Sequence, residues 1–194
     1  MTRKTGGMAV ALLVFLSPPA WGFEFSGQRI TKAEGKVVTA HVNAREDRWR
    51  FEYAEPQSGA MAAIIRLDRQ SAWLILSIRR IYAEVPIAPA HLLLVSEKME
   101  GEVVREFIGT EDLNGYPTEL FDVTVLIKGE PQQFYQWVTK DQRFCMKMVS
   151  KRGDWSVEYQ HVKFVPQPDR YFEPPIGFRG DHPVNPEVTP PLVN

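Results

Sequence analysis

The chain has 194 residues with 23 basic against 24 acidic side chains, and a formal charge of −1 offers no basic surface for nucleic acid or an anionic membrane. A single cysteine, Cys145, excludes an internal disulfide, so stability must come from a packed core. This length suits one domain, and after the first residues no apolar run is long enough to span a bilayer.

Residues 1–22 read as a cleaved export signal. Arg3 and Lys4 give a positive start, residues 8–16 (MAVALLVFL) an apolar centre of about half a membrane span, and Pro18, Pro19, Ala20 and Gly22 a small-residue exit. Cleavage after Gly22 makes Phe23 the first mature residue and leaves 21 basic against 24 acidic residues, a formal charge of −3. Lipidation needs a cysteine at the cleavage point, and Cys145 lies far from it. The expected location is the periplasm, reached by a cleaved signal without a lipid anchor.

Most of the remaining chain alternates between apolar and polar residues. Runs at 36–43, 48–54, 60–68, 72–77 and 81–87 are short and β-like, separated by polar or glycine-containing turns such as Glu46-Asp47 and Gln57-Ser58-Gly59. In RWRFEYA the side chains of Trp49, Phe51 and Tyr53 share one face, while Arg48, Arg50 and Glu52 share the other. Residues 88–101 (APAHLLLVSEKMEG) interrupt this pattern. Leu92, Val95 and Met99 fall on one helical stripe between Pro89 and Gly101, which predicts the one helix after the signal.

Alternation resumes at 106–112, 116–128, 132–140, 143–150 and 155–165, and Asn114-Gly115 is the strongest hairpin turn signal. The expectation is a mostly β fold, an antiparallel meander of roughly ten strands about 45 Å wide at about 4.8 Å per strand. One face collects Trp49, Phe51, Tyr53, Trp73, Ile75, Phe121, Val123, Val125, Ile127, Tyr135, Trp137, Phe144, Met146, Met148, Trp155, Val157 and Tyr159. A single helix cannot cover such a sheet, so the sheet must curl around it. A wall of aromatics and methionines suits either an ordinary packed core or an apolar ligand.

RWRFEYAEP followed by AIIRLDRQSAWLIL (63–76) resembles the signature region of the LolA/LolB-like lipoprotein carriers, with Trp73 in the place of a family tryptophan. RRIYAEVPI, FIGTEDLNGY, FYQWVTKD and YFEPPIGF resemble, in order, segments of a related group of exported proteins with that fold, and the match runs over residues 35–178. The resemblance implies a curved antiparallel half-barrel over residues 23–179, closed by a lid helix, with an apolar cavity for acyl chains. The implied cavity lining is Trp49, Phe51, Tyr53, Trp73, Ile75, Phe121, Val123, Trp137, Phe144, Met146 and Met148, and the implied lid is Leu92, Val95 and Met99.

Catalytic chemistry finds little support. His41, His91, His161 and His182 are scattered without metal-ligand spacing, and no nucleophile elbow or phosphate loop occurs. In RFCMKM, alternation sets Cys145 beside Lys147 and opposite Phe144, Met146 and Met148, as a passive thiol. Residues 180–194, with Pro183, Pro186, Pro190 and Pro191, read as a disordered tail. The expectation is therefore a monomeric periplasmic carrier or sensor without cofactor, metal or catalytic residues. Its ligand is a lipid or lipoprotein acyl chain, its further partner an inner- or outer-membrane protein, and its pathway outer-membrane lipoprotein sorting. The alternative is a protein-interaction module with a packed core and no ligand.

Overall fold

A computed structural model of the protein describes residues 24–88 and 91–181. The expected signal, its cleavage point and residues 182–194 of the expected tail lie outside these described residues.

Twelve strands form one sheet: β1 (Glu24–Ala33), β2 (Lys36–Arg45), β3 (Arg48–Gln57), β4 (Ala60–Arg66), β5 (Ser71–Leu76), β6 (Ile81–Val85), β7 (Glu102–Leu113), β8 (Tyr116–Ile127), β9 (Glu130–Thr139), β10 (Cys145–Ser150), β11 (Trp155–Lys163) and β12 (Arg179–Asp181). Their order across the sheet is β12-β6-β5-β4-β3-β2-β1-β11-β10-β9-β8-β7. The sheet is curved and does not close on itself, an open half-barrel of the LolA-like kind. All neighbours pair antiparallel except β12, which runs parallel to β6. The two arms of the meander, β1–β6 and β7–β11, meet where β1 pairs with β11.

Local chemistry accounts for most turns. Asn114 and Gly115 have φ of 54° and 82°, the left-handed pair that a two-residue hairpin requires, and they join β7 to β8 as expected. Register shifts in the pairings of β1 with β11, β3 with β4, β7 with β8 and β9 with β10 mark bulges, which bend a strand and increase its twist. At the first, Gly27 lies so close to β11 that a Cβ would stand 3.2 Å from the Gln160 carbonyl oxygen.

Three sequence expectations change. β1 is absent from the sequence reading because EFSGQRITKA carries only Phe25 and Ile30 as large apolar residues. The sheet gains a parallel edge strand, β12, so the domain boundary expected at 179/180 falls inside an element. Residues 88–101 contain no α-helix among their described positions: a short 3-10 turn at His91 gives way to extended, irregular chain. The stripe of Leu92, Val95 and Met99 had suggested a helix, but apart from one turn, His91 amide to Ala88 carbonyl, the carbonyls of His91, Val95 and Ser96 are bonded to the sheet.

Two irregular segments cover the two faces of the first arm. The 91–101 segment lies on the concave face, where Val95, Leu93, Leu94 and Met99 pack against the core of Trp49, Phe51, Ile65, Leu74, Phe144, Met146 and Met148. The chain after β11 runs over the outer face. There Asn43 donates to Gln167 at 2.8 Å, Arg45 pairs with Asp169 at 2.6 Å, and the buried Arg66 guanidinium donates to the Phe172 carbonyl at 3.2 Å. Arg66 also pairs with Asp68 at 2.6 Å and with Glu173, and its hydrogen bond to Asp68, with its charge, holds that carboxyl below the usual range. Between these covers, AMAAIIR of β4 is buried on both faces and so carries no alternation.

Phe172, fully buried at the end of this outer cover, is its apolar anchor. Replacement Phe172→Ala should cost about 3 kcal/mol, read as a fall in the urea midpoint with the m-value unchanged. An unchanged midpoint would show that the outer segment does not support the sheet.

Candidate functional site

The concave face is where sequence and geometry converge. Register places Trp49 opposite Ile65 and Phe51 opposite Ala63, and Met148 opposite Gln136 on one side and Val157 on the other. Trp49, Phe51, Phe144, Met146 and Met148 are buried in one cluster, with Tyr53 half-buried at its margin. Phe144 stands edge-on to Phe25 at 4.9 Å and to Tyr159 at 5.5 Å, an arrangement that aromatic quadrupoles favour. Phe121 and Val123 face the same way further along the sheet, in a second cluster that Met99 and Phe134 also touch.

The roof is a strap, residues 91–101, which crosses the trough and is fastened at intervals. The Trp49 indole donates to the His91 carbonyl at 2.7 Å, the Cys145 amide to the Val95 carbonyl at 2.8 Å, and the Gln136 side chain to the Ser96 carbonyl at 3.1 Å. At its far end the Arg105 guanidinium bonds the Glu97 carbonyl, Arg143 bridges Glu97 and Glu119, and Arg105 holds Glu102 at 2.7 Å and Gln136 at 2.6 Å. The hydrogen bond from Arg143, with its charge, is the chief reason the Glu97 carboxyl titrates below its ordinary value. The bonds to His91, Val95, Ser96 and Glu97 satisfy strap carbonyls that no helix satisfies.

Three expected cavity residues lie on the other face. Trp73 pairs with Ile64 and Ile75 with Ala62, so both point outward and pack with Tyr82 and Phe178 beneath the C-terminal cover. SAWLIL is apolar at every position after its serine, so periodicity could not choose between its two sides. Trp137 also faces outward, with the Lys147 ammonium 5.0 Å from its ring centroid and its indole bonded to Glu111. In QQFYQW the inward positions are Phe134 and Gln136, because the Gln136 amide is needed by the strap. A glutamine inside an otherwise apolar alternation was the available signal. The lid residues divide as well: Val95 is buried and Met99 half-buried, but Leu92 is 38% exposed.

Cys145 departs from its expected face. A bulge between Cys145 and Lys147 skips one position, so Cys145 and Met146 are both fully buried. Burial pushes the thiol up to about 12. Among the described residues, no group of three or more His, Cys, Asp or Glu could hold a metal ion, and no helix is long and apolar enough to cross a membrane. Two hollows, of about 310 and 440 Å³, lie on the outer face along β1 and β11.

No protein-family model matches the chain, and no curated protein matches it. Solved structures do. The crystal structure of MucB superposes with a TM-score of 0.55 at 13% identity, over 79% of this chain and 58% of that one. MucB in complex with MucA(peri) gives 0.54 at 14%, over 79% and 55%, and the Pseudomonas aeruginosa MucA/MucB complex 0.52 at 14%, over 77% and 54%. The chain thus spans little more than half the length of the MucB chains it matches. At this identity the likeness is one of fold, and it agrees with the LolA/LolB-like resemblance read from the sequence.

Two outcomes follow from this geometry. The Cys145 thiol should resist a water-soluble disulfide reagent at pH 8 until denaturant is added; rapid labelling of the native protein would show that the strap leaves it open. The folded thiol stays protonated where the unfolded one ionises, so its contribution is lost as pH rises from about 9 towards 12. Urea titrations at pH 8 and pH 10 should show a fall in stability of up to about 1.4 kcal/mol that Cys145→Ala removes. An equal fall in the variant would assign it to other groups.

Proposed function

We propose that the chain is a non-enzymatic carrier or sensor for an apolar chain, a lipid or the acyl part of a lipoprotein, held on the concave face beneath the strap. It would work in the periplasm as one half-barrel domain behind a cleaved signal of residues 1–22. The observation that carries this reading is the roof: a trough of aromatics and methionines is covered by a strap without regular structure, fastened mainly through side chains. Methionine and aromatic walls adapt to flexible hydrocarbon.

Magnitudes favour exchange of the strap for a ligand. Four fastenings to its carbonyls are worth roughly 1 kcal/mol each, and exposing its four packed apolar side chains costs roughly 2 kcal/mol each. A sixteen-carbon chain buried at roughly 0.8 kcal/mol per methylene offsets both. Lifting the strap at its fastenings would open the trough without disturbing a strand.

A second reading has its own support. The free edge strand β7 exposes Val103, Val104, Phe107 and Ile108 to solvent, while the concave core residues are themselves well packed. MucB, of similar fold, has been solved with MucA(peri). An interaction module that docks a protein on β7 would use this edge and need no cavity.

Native mass spectrometry of the protein from a periplasmic extract, followed by organic extraction, separates the two. A stoichiometric acylated species that is lost in Leu94→Asp, a change in the strap and in no strand, is the expected result. A clean apo mass, with no uptake of added fatty acid, would overturn the carrier reading and turn attention to β7.

A further inference from the structure

One charge on the concave face stands apart from the Arg105–Glu102 pair at the strap's far end. Arg29 of β1 points inward, its guanidinium carbon 4.9 Å from the Phe51 ring centroid, and its Nε is buried without a hydrogen-bond partner. None of the ion pairs among the described residues includes Arg29. Across the sheet it stands in the row Tyr53–Ala40–Arg29–Tyr159, where the small Ala40 is its neighbour on one side and Tyr159 on the other.

Two further polar atoms are left over in the same place. Tyr159 is fully buried, and its hydroxyl, near the Leu94 amide, completes no hydrogen bond of good geometry. His91, at the start of the strap, is 3% exposed, and its Nε2 has no partner. Its Nδ1 accepts from the Ala88 amide at 3.1 Å, which fixes the neutral ring with its proton on Nε2. Burial, and then the Arg29 charge, holds this histidine below its ordinary pKa, so the ring is neutral at pH 7. The Arg29 charge is also felt at Tyr53 and Tyr159.

The inventory is one-sided. Arg29 Nε–H, His91 Nε2–H and Tyr159 O–H are all able to donate, and none has an acceptor. Buried polar groups are rarely left in this state, and a cluster of unused donors beside an unpaired cation is the complement of an anion. Arg29 and Tyr53 are only half-buried, which leaves the cluster an approach from solvent at the margin of the trough.

We propose that Arg29, His91 and Tyr159 form a receptor for one anionic group, a carboxylate or a phosphate monoester, at the end of the trough. As the head of an acyl ligand, this group specifies the substrate class of the carrier reading and to that extent rests on it. The anion site itself rests on the three donors alone. His91 belongs to the strap, so an anion that engages it also ties the strap's first turn to β1 and β11.

The test uses the full protein and defined probes. Oleate and monooleoyl phosphate should each bind about tenfold more tightly than methyl oleate, which has the same chain and no charge. Arg29→Met should abolish that contrast without weakening methyl oleate. Tyr159→Phe should reduce it while leaving thermal stability unchanged or raised, since the hydroxyl it removes is unsatisfied; this separates binding from folding. Whichever of the two anions binds better identifies the head group as carboxylate or phosphate.

Equal affinity for all three probes would overturn the anion site and leave the apolar reading standing. If no acyl probe binds, the carrier reading fails, and the anion site is decided by acetate and inorganic phosphate alone. Either ion should then shift the His91 ring resonances saturably, identified by their loss in His91→Gln, and Arg29→Met should remove the shift. Unmoved resonances would overturn the proposal.

Discussion

An open sheet has two faces and only one chain to cover them. The LolA-like half-barrel here curves through its bulges, so that the concave side of β1–β5, β10 and β11 becomes a trough. A single strand-width of irregular chain covers it. The fastening of that chain, Trp49 to the His91 carbonyl, the Cys145 amide to the Val95 carbonyl and Gln136 to the Ser96 carbonyl, fixes what else is possible. It sets which β9 residue must face inward, seals the thiol of Cys145, and brings His91 over Arg29.

The same constraint acts on the outer face. The segment after β11 crosses β2–β5 and is locked by Arg66, whose charge is balanced by Asp68 and Glu173. That cover makes the first arm a three-layer body without an α-helix among the described residues. Strands β7–β9 of the second arm have no comparable outer cover among the described residues, and the edge strand β7 leaves four large apolar residues exposed. A stiff, doubly covered arm beside a thinner one is a reasonable frame for a strap that moves, because the strap leaves β6 at one arm and enters β7 at the other.

Much of the fold was legible in the sequence because alternation and turn chemistry are local. The hairpin at Asn114-Gly115 and the shared face of Trp49, Phe51 and Tyr53 needed only the period of a strand and the left-handed preference of two residues. The failures have a different origin. Trp73 and Ile75 lie in a run buried on both sides, and Trp137 beside a glutamine that is inward only because the strap bonds it, so tertiary cover overrode the period. The 88–101 stripe was apolar at helical spacing, yet its carbonyls found sheet donors. Of the three donors now placed together, Arg29 lies in a strand that showed no clear pattern, and His91 and Tyr159 are distant from it in sequence. Register pairs Arg29 with Tyr159, and the strap, fastened to Trp49, brings His91 to them.

The central claim is that hydrocarbon enters beneath the strap. Photo-crosslinking with a fatty acid that carries a diazirine midway along its chain, followed by peptide mapping, tests it at the residue level. The account predicts adducts on the peptides that hold Phe51, Val95, Met146 and Met148. Adducts confined to the exposed β7 residues Phe107 and Ile108, or none at saturating probe, would contradict it.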